Sequence, residues 1–208
     1  MSSLADDLHV RAVDTRPLEM RDEHQSLKIL GFWLFLATDM VLFACLFSTY
    51  LVLRSHTGGG PTAKQIFDIP GFMAETFILL TSSFTGGLAT LEMRNGHKKR
   101  VIALLALTIA LGLSFVGLEA SEFIRDAAMG ATMQRSGFLS AFFTLVGTHG
   151  CHVSVGIIWM TLVLIQIWRK GINSATSRKV FMVNLYWHFL DVVWVFIFTI
   201  VYLSGVVL

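Results

Sequence analysis

Residues 137–168 read GFLSAFFTLVGTHGCHVSVGIIWMTLVLIQIW and contain no Asp, Glu, Lys or Arg. An apolar run of about 18 or more residues is long enough to cross the hydrocarbon core of a bilayer as a helix. A backbone in lipid has no water to satisfy its amides, and this run lacks the two-residue alternation of a membrane β-barrel. The stretch therefore predicts a transmembrane α-helix.

Four further apolar runs are long enough to cross a bilayer as helices and are found at 29–53, 71–93, 101–123 and 180–206. Hydrophobic residues make up 54% of the chain and charged residues 14%, with a mean hydropathy of +0.67. Soluble domains carry about 25% charged residues. The sequence predicts an all-α, polytopic membrane protein in which residues 29–208 form a bundle of five transmembrane helices. Short loops favour antiparallel packing of consecutive helices.

The distribution of Lys and Arg predicts the orientation. Residues 1–28 form a polar tail of mixed charge, and no cleavable signal peptide is expected in it. The tail, the second loop and the fourth loop together hold 12 Lys and Arg, whereas the opposite side holds 4. The positive-inside rule then predicts a cytoplasmic N-terminus and a periplasmic C-terminus. The net charge of +2 is too small to suggest nucleic-acid binding.

Ionisable side chains inside the predicted helices are the candidate functional residues, because a charge at bilayer depth is costly unless it has a partner. Asp39 lies near the middle of the first span. Two roles are open for it: a hydrogen-bonded link between helices, or a part in proton handling.

Two pairs of polar residues occupy the fourth and fifth spans. His149 and His152 are three residues apart, as are His188 and Asp191, so each pair shares a helical face. The short fourth loop suggests a polar cluster across the two helices. The alternatives are hydrogen-bonded structural histidines and a bis-histidine haem site that takes one His from each helix.

Glu119 and Glu122 share a face at the end of the third span. They are within about two turns of the membrane interface. Two roles are therefore open: acids that are solvated or cap the loop, and a functional pair. Glu75 is expected to reach the interface or cap the second span.

Two function classes remain at this point, a small transporter and an accessory subunit of a larger redox complex. Transporters are often built from two repeats, and five helices cannot divide equally, which favours the subunit.

Several motifs, in chain order, are similar to those of subunit III of the haem–copper terminal oxidases. The resemblance covers residues 28–206 and rests on GFWLFLATDMVLFACLFSTYLVL, GGPTAKQIFDIP, LLTSSFTGG, GLEASEF, RSGFLSAFFTLVGTHGCHV and LYWHFLDVVWVFIFTIVYLSG. The five-span form resembles bacterial members. The motifs RSGFLSAFFTLVGTHG and AETFILL, with Asp39, most resemble those of the cytochrome bo3 ubiquinol oxidases. Subunit III of a cytochrome c oxidase is the alternative.

The resemblance implies an accessory subunit of the bacterial inner membrane, without catalytic, cofactor-binding or metal-binding residues of its own. The haems and copper would belong to subunit I, where ubiquinol oxidation drives dioxygen reduction to water and proton pumping. The implied partners are subunit I, the other oxidase subunits and phospholipids held in a cleft between helices. The implied contribution of this chain is to assembly, lipid binding and proton uptake.

The resemblance also assigns positions. Asp39 matches a membrane-embedded carboxylate that is Glu in mitochondrial members. His149 and His152 match paired histidines, and His188 and Asp191 match a WHF-D motif. Glu119 and Glu122 fall where the family has a polar residue and a Glu. Our hypothesis is that the histidine cluster joins the fourth and fifth helices while Asp39 faces the lipid cleft.

Overall fold

The computed structural model describes residues 23–59 and 69–207, and residues 1–22 of the predicted tail lie outside the described residues. The main helices are α1 (Glu23–Leu53), α2 (Ile69–Arg94), α3 (Lys98–Ala128), α4 (Gly137–Lys170) and α5 (Ser174–Ile197). A 3-10 turn at Met133–Arg135 precedes α4. After α5 the chain continues as a π-helical segment, Phe198–Leu203, and a short α6, Ser204–Val207.

Within the described parts of the chain, five helical spans are long and apolar enough to cross a membrane, which confirms the five predicted helices. Helix α4 is central, since it packs against α1, α3 and α5. Helix α2 lies between α3 and α5, and α1 contacts the bundle through α4 and α5. Both α1 and α3 leave most of their spans exposed, so much of the apolar surface faces outward.

The loop between α4 and α5 is set by local capping. Gly171 ends α4 with a φ of +72°, a conformation that glycine adopts without steric cost. Two residues later, the Asn173 side chain accepts a hydrogen bond from the Thr176 amide, and the Thr176 hydroxyl accepts one from the Asn173 amide. This capping box starts α5 at Ser174, six residues before the apolar run predicted at 180.

The centre of the bundle is built around Trp187 of α5, which is 1% exposed. Its Nε1 donates to the Ser82 hydroxyl of α2 at 3.0 Å. A Cβ at Gly112 of α3 would lie 2.8 Å from the indole ring, and one at Gly156 of α4 would lie 3.1 Å from it. Because these two positions are glycine, α3 and α4 can pack closely against the Trp187 ring of α5.

Candidate functional site

Asp39 faces α4. It is 8% exposed, and its Oδ2 lies 3.9 Å from Nε2 of His152, within ion-pair range but too far for a hydrogen bond. Nδ1 of His152 is 2.7 Å from the Thr148 carbonyl oxygen, which can only accept, so Nδ1 carries a proton. Among the described residues, Oδ2 of Asp39 has no hydrogen-bond partner. Buried Asp39 and half-buried His152 thus form an ionisable pair between α1 and α4.

An apolar cleft of about 350 Å³ lies between α1 and α5, on another face of α1. Trp33, Ala37 and Met40 of α1 and Phe189 of α5 are among the residues that line it, and Asp39 is not. Asp39 turns to His152 and does not line this α1–α5 cleft, and its placement at a lipid cleft stays a prediction.

His149 is fully buried among aromatic rings. Its ring centroid lies 5.3 Å from that of Trp194 and 6.0 Å from that of Phe115, with Phe43 at 6.3 Å. Within the described structure, neither ring nitrogen has a hydrogen-bond partner. The close aromatic packing leaves no room for a porphyrin beside this ring, so His149 does not fit a haem ligand.

His188 and Asp191 turn to α2. Nδ1 of His188 is 2.7 Å from the Ser83 hydroxyl oxygen, and the same hydroxyl hydrogen-bonds to the Asp191 carboxylate. No hydrogen bond in the described part of the chain joins this group to His149 or His152. The predicted cluster across α4 and α5 is therefore two separate groups. His188 is exposed at the edge of the α2–α5 contact, where it hydrogen-bonds to Ser83, and not between α4 and α5.

The acidic residues of α3 face inward. Glu119 is 5% exposed, which corrects the interpretation that it is solvated. A Cβ at Gly150 of α4 would lie 2.7 Å from both of its carboxylate oxygens, so Gly150 makes the space for this side chain. Glu122 is half-buried. Glu75 of α2 is 1% exposed and interacts electrostatically with both, so it does not reach the interface as expected.

The hydroxyl groups of α2 are functional partners that the sequence analysis missed. Besides Ser83, two of these hydroxyl groups accept hydrogen bonds from α5. Trp194 Nε1 donates to Thr76 at 3.1 Å, and Asn184 Nδ2 donates to Thr90 at 2.8 Å. Part of the signal was present in LLTSSFTGG, residues 79–87, which contains Ser82 and Ser83 among small residues of an apolar helix, whereas Thr76 and Thr90 lie on either side of it. Such residues let membrane helices approach closely and hydrogen-bond to each other.

A second feature that sequence reasoning missed is a pocket of about 480 Å³, here called the cationic pocket, where α1 begins and α4 and α5 are joined. Lys28, Arg178 and Lys179 contribute positive charge, and Nζ of Lys179 donates to Oε1 of Gln166 at 2.6 Å. The rest of its wall is largely apolar and is formed by Trp159, Leu162, Val163 and Met182. Charge at the rim with apolar walls below suits an anionic headgroup with acyl chains.

Among the described residues, no group of three or more His, Cys, Asp or Glu side chains is arranged to hold a metal ion. The imidazoles are instead placed one by one: His152 beside Asp39, His149 among aromatic rings, and His188 beside Ser83. The arrangement can pair charges and hydrogen bonds between helices.

Matches to known proteins cover nearly the whole chain. A family described as Cytochrome c oxidase subunit III matches residues 22–206. Quinol oxidase subunit 3 of Bacillus subtilis (strain 168) is 49% identical, over 91% of this chain and 93% of the relative. Cytochrome bo(3) ubiquinol oxidase subunit 3 of Pseudomonas aeruginosa is 50% identical, over 85% of each. Cytochrome c oxidase subunit 3 of Bacillus sp. (strain PS3) is 47% identical, over 86% of this chain and 87% of the relative.

Proposed function

The chain belongs to the cytochrome c oxidase subunit III family, and on that premise we propose that it is subunit III of a terminal quinol oxidase. The observation that carries the proposal is the match to the quinol oxidase subunit 3 of B. subtilis over 91% of this chain. Five membrane helices packed as one bundle agree with it. The transporter alternative lacks any comparable support.

In this proposal the chain is a non-catalytic part of an enzyme complex. Subunit I would hold the haems and copper, and ubiquinol oxidation, dioxygen reduction and proton pumping would take place there. Subunit III would support assembly and proton uptake. Support comes from Asp39, Glu75 and Glu119, which are ionisable groups buried between the helices.

The proposed location is the bacterial inner membrane, with the N-terminus in the cytoplasm and the C-terminus in the periplasm. The basic loops support this orientation. Lys98, at the start of α3, donates to the Trp168 carbonyl oxygen near the end of α4 at 2.9 Å, which brings the second and fourth loops to one end of the bundle. Single cysteines introduced at Lys99 and Arg135 should be labelled by a membrane-impermeant maleimide from opposite sides, Lys99 only after the membrane is opened.

Phospholipid is the second proposed partner. The cationic pocket lies at the end of the bundle that carries the basic loops, where an anionic phosphate could be held by Lys28 and Arg178. The apolar walls below would contact acyl chains.

The proposed function is tested by purification in mild detergent through a tag on this chain. We expect a complex with the visible spectrum of haem that consumes oxygen with ubiquinol and fails to do so with reduced cytochrome c. Oxygen uptake driven only by reduced cytochrome c would replace the quinol assignment with the cytochrome c alternative. A colourless preparation containing this chain alone would contradict the subunit assignment.

A further inference from the structure

A groove of about 660 Å³, here called the α3–α4 groove, lies between α3 and α4 near the end of the bundle opposite the basic loops. Gly147, Thr148 and Cys151 line it from one face of α4, and Phe123 lines it from α3. Residues 131–134, which belong to the connection between the two helices, line its outer end. The groove is therefore elongated: it begins where α3 and α4 are joined and follows α4 toward the middle of the span.

The Thr148 hydroxyl distinguishes this groove from other helix surfaces. Thr144 and Thr161 of the same helix each donate to a backbone carbonyl oxygen one turn earlier, at 2.7 and 2.8 Å. Among the described residues, the Thr148 hydroxyl has no such bond, although it lies about 17 Å along α4 from Gly137 at 1.5 Å per residue. An acyl chain offers it no acceptor. The groove therefore presents a hydrogen-bond donor at a depth where lipid cannot satisfy it.

The remaining wall of the groove is aromatic and neutral. Phe123 and Phe143 lie edge to face, with ring centroids 5.0 Å apart, and Gln134 adds an exposed amide at the outer end. Arg135, in the same turn, does not line the groove, and it donates to the Gly130 carbonyl oxygen at 3.2 Å. Of the described residues that line the groove, none is Lys or Arg. Unlike the cationic pocket, it has no positive group for a phosphate.

These features suit a ligand with a neutral aromatic head and a long apolar tail. Small-molecule sites of about 300–1,000 Å³ are mostly apolar, with a few polar groups that orient the ligand. Here the Gln134 amide and the Thr148 hydroxyl are those groups. A quinol has oxygens on opposite sides of a ring and an isoprenoid tail, and each oxygen can accept a hydrogen bond. A phospholipid would instead place its charged phosphate where the groove has no cation.

We propose that the α3–α4 groove binds the quinol substrate of the oxidase, with the quinol ring against Phe123 and one ring oxygen accepting from Thr148. The isoprenoid tail then passes Cys151 toward the middle of the bilayer. This inference rests on the proposed function, which supplies a quinol as the substrate of the complex. The groove only binds the quinol, and the oxidation of the quinol stays in subunit I.

The test is photoaffinity labelling of the intact, detergent-purified complex with a ubiquinone that carries an azide on its ring. After irradiation and digestion, we expect label within residues 123–151 of this chain. An excess of unlabelled ubiquinone should suppress it, whereas an excess of phospholipid should not. Label found only on other subunits, label that ubiquinone does not suppress, or label that phospholipid suppresses equally well would overturn the quinol site.

A matched pair of glycine variants tests the space in the groove. A Cβ at Gly147 would lie 3.6 Å from the Phe123 ring, an ordinary contact, so Gly147→Leu fills the groove without forcing the helices apart. We expect the concentration of azidoquinone that gives half-maximal labelling to rise at least about tenfold, equivalent to about 1.4 kcal/mol. Gly117→Leu, on α3 outside the groove and with no atom within 4 Å of a Cβ, should label as the wild type does. Equal labelling of the two variants would contradict the proposal.

A smaller change keeps the test decisive if Gly147→Leu prevents assembly. Thr148→Val removes the hydroxyl and keeps the shape of the side chain, so it should weaken azidoquinone binding about threefold to tenfold, the size of one net hydrogen bond. Thr161→Val makes the same change on the same helix, outside the groove, and should leave labelling unchanged. If the two valine variants label alike, Thr148 does not bind the quinol and the proposed site is wrong.

The two levels of inference fail differently. If the tagged wild-type chain brings down a haem-containing, ubiquinol-oxidising complex and the azidoquinone labels only other subunits, the quinol site is wrong and the proposed function stands. If no complex accompanies the tagged chain, both are wrong.

Discussion

Trp187 shows how single residues determine the packing of this bundle. Its indole nitrogen is bound by Ser82 of α2, and its ring lies against Gly112 of α3 and Gly156 of α4. One side chain of α5 therefore contacts three neighbouring helices, and its position leaves room only for hydrogen atoms on the two glycines.

Gly112→Ala should destabilise the bundle. The added methyl carbon would lie 2.8 Å from Cη2 of Trp187, and the ring cannot withdraw because Gly156 and Ser82 hold its other side. Overpacking of this kind costs about 1–3 kcal/mol of folding free energy. We expect the chain to dissociate from the detergent-purified complex at a lower temperature. Gly117→Ala, on the same helix with no atom within 4 Å, is the control. Equal dissociation temperatures for the two variants would show that the ring can move.

Asp39→Asn should leave assembly intact. The Asp39 carboxylate has no hydrogen bond to lose at Oδ2, and the amide of asparagine has the same shape and fits the same space. The measurement is the ratio of this chain to haem in the purified complex, which we expect to equal the wild-type ratio. Loss of the chain from the variant complex would show that the charge of Asp39 is needed for its attachment.

The residue scale also shows where sequence reasoning reached its limit. Asp39 and Glu119 could be identified as costly groups at depth, because cost depends on residue type and position along the helix. Their partners could not, since a rotation of one helix about its axis exchanges one neighbour for another without changing hydropathy. The side chain of Asp39 lies beside His152, and that of Glu119 lies against Gly150.

At the scale of elements, α2 and α5 are joined by several hydrogen bonds between their side chains. Side-chain N–H groups of α5 donate hydrogen bonds to hydroxyl oxygens of α2, and they belong to Trp187, Trp194 and Asn184. Of the three acceptors, Ser82 is buried, whereas Thr76 and Thr90 are half-buried. These bonds fix the rotation and depth of α5 against α2, which in turn places His188 beside Ser83.

Thr76→Val tests the contribution of one such bond. Valine keeps the shape of threonine but removes the acceptor of Trp194, whose indole is fully buried. An unsatisfied buried donor costs about 1–3 kcal/mol. We expect a lower thermal midpoint for the purified complex, measured by near-ultraviolet circular dichroism.

Thr81→Val provides the control on the same helix. Thr81 is exposed, and its hydroxyl donates to the Phe77 carbonyl oxygen of its own helix, so no second helix loses a partner. Its midpoint should stay close to that of the wild type. If both variants melt alike, the Thr76 bond adds nothing beyond the local effect of a hydroxyl.

Existence of the five helices was predictable, whereas several of their ends were not. Hydropathy detects the part of a helix that lies in lipid, and it located all five. The start of α5 depends on Asn173 and Thr176, polar residues that extend the helix beyond the apolar run. The π-helical segment Phe198–Leu203 has no counterpart in apolar periodicity, so it could not be predicted from the sequence.

For the whole molecule, charge separates along the bundle axis. The cationic pocket and the basic loops occupy one end, whereas Glu75, Glu119 and Glu122 interact near the other, within the bundle. The sequence shows which loops contain Lys and Arg but could not show that Lys28 and Arg178, 150 positions apart, line one pocket. That convergence arises only when α1 packs beside the junction of α4 and α5.

The convergence predicts selective retention of anionic phospholipid. Replacing Lys28 and Arg178 together by Gln should lower the amount of anionic phospholipid that remains with the purified complex, because each cation near an anionic surface contributes about 1 kcal/mol. Arg169→Gln with Lys170→Gln removes the same charge from exposed residues that do not line the pocket. Mass spectrometry of lipids extracted after extensive detergent washing should show a loss for the first pair and little change for the second. If both pairs lose lipid equally, the attraction belongs to the basic end as a whole and not to the pocket. Unchanged lipid in both would remove the pocket from the proposed function while leaving the oxidase assignment in place.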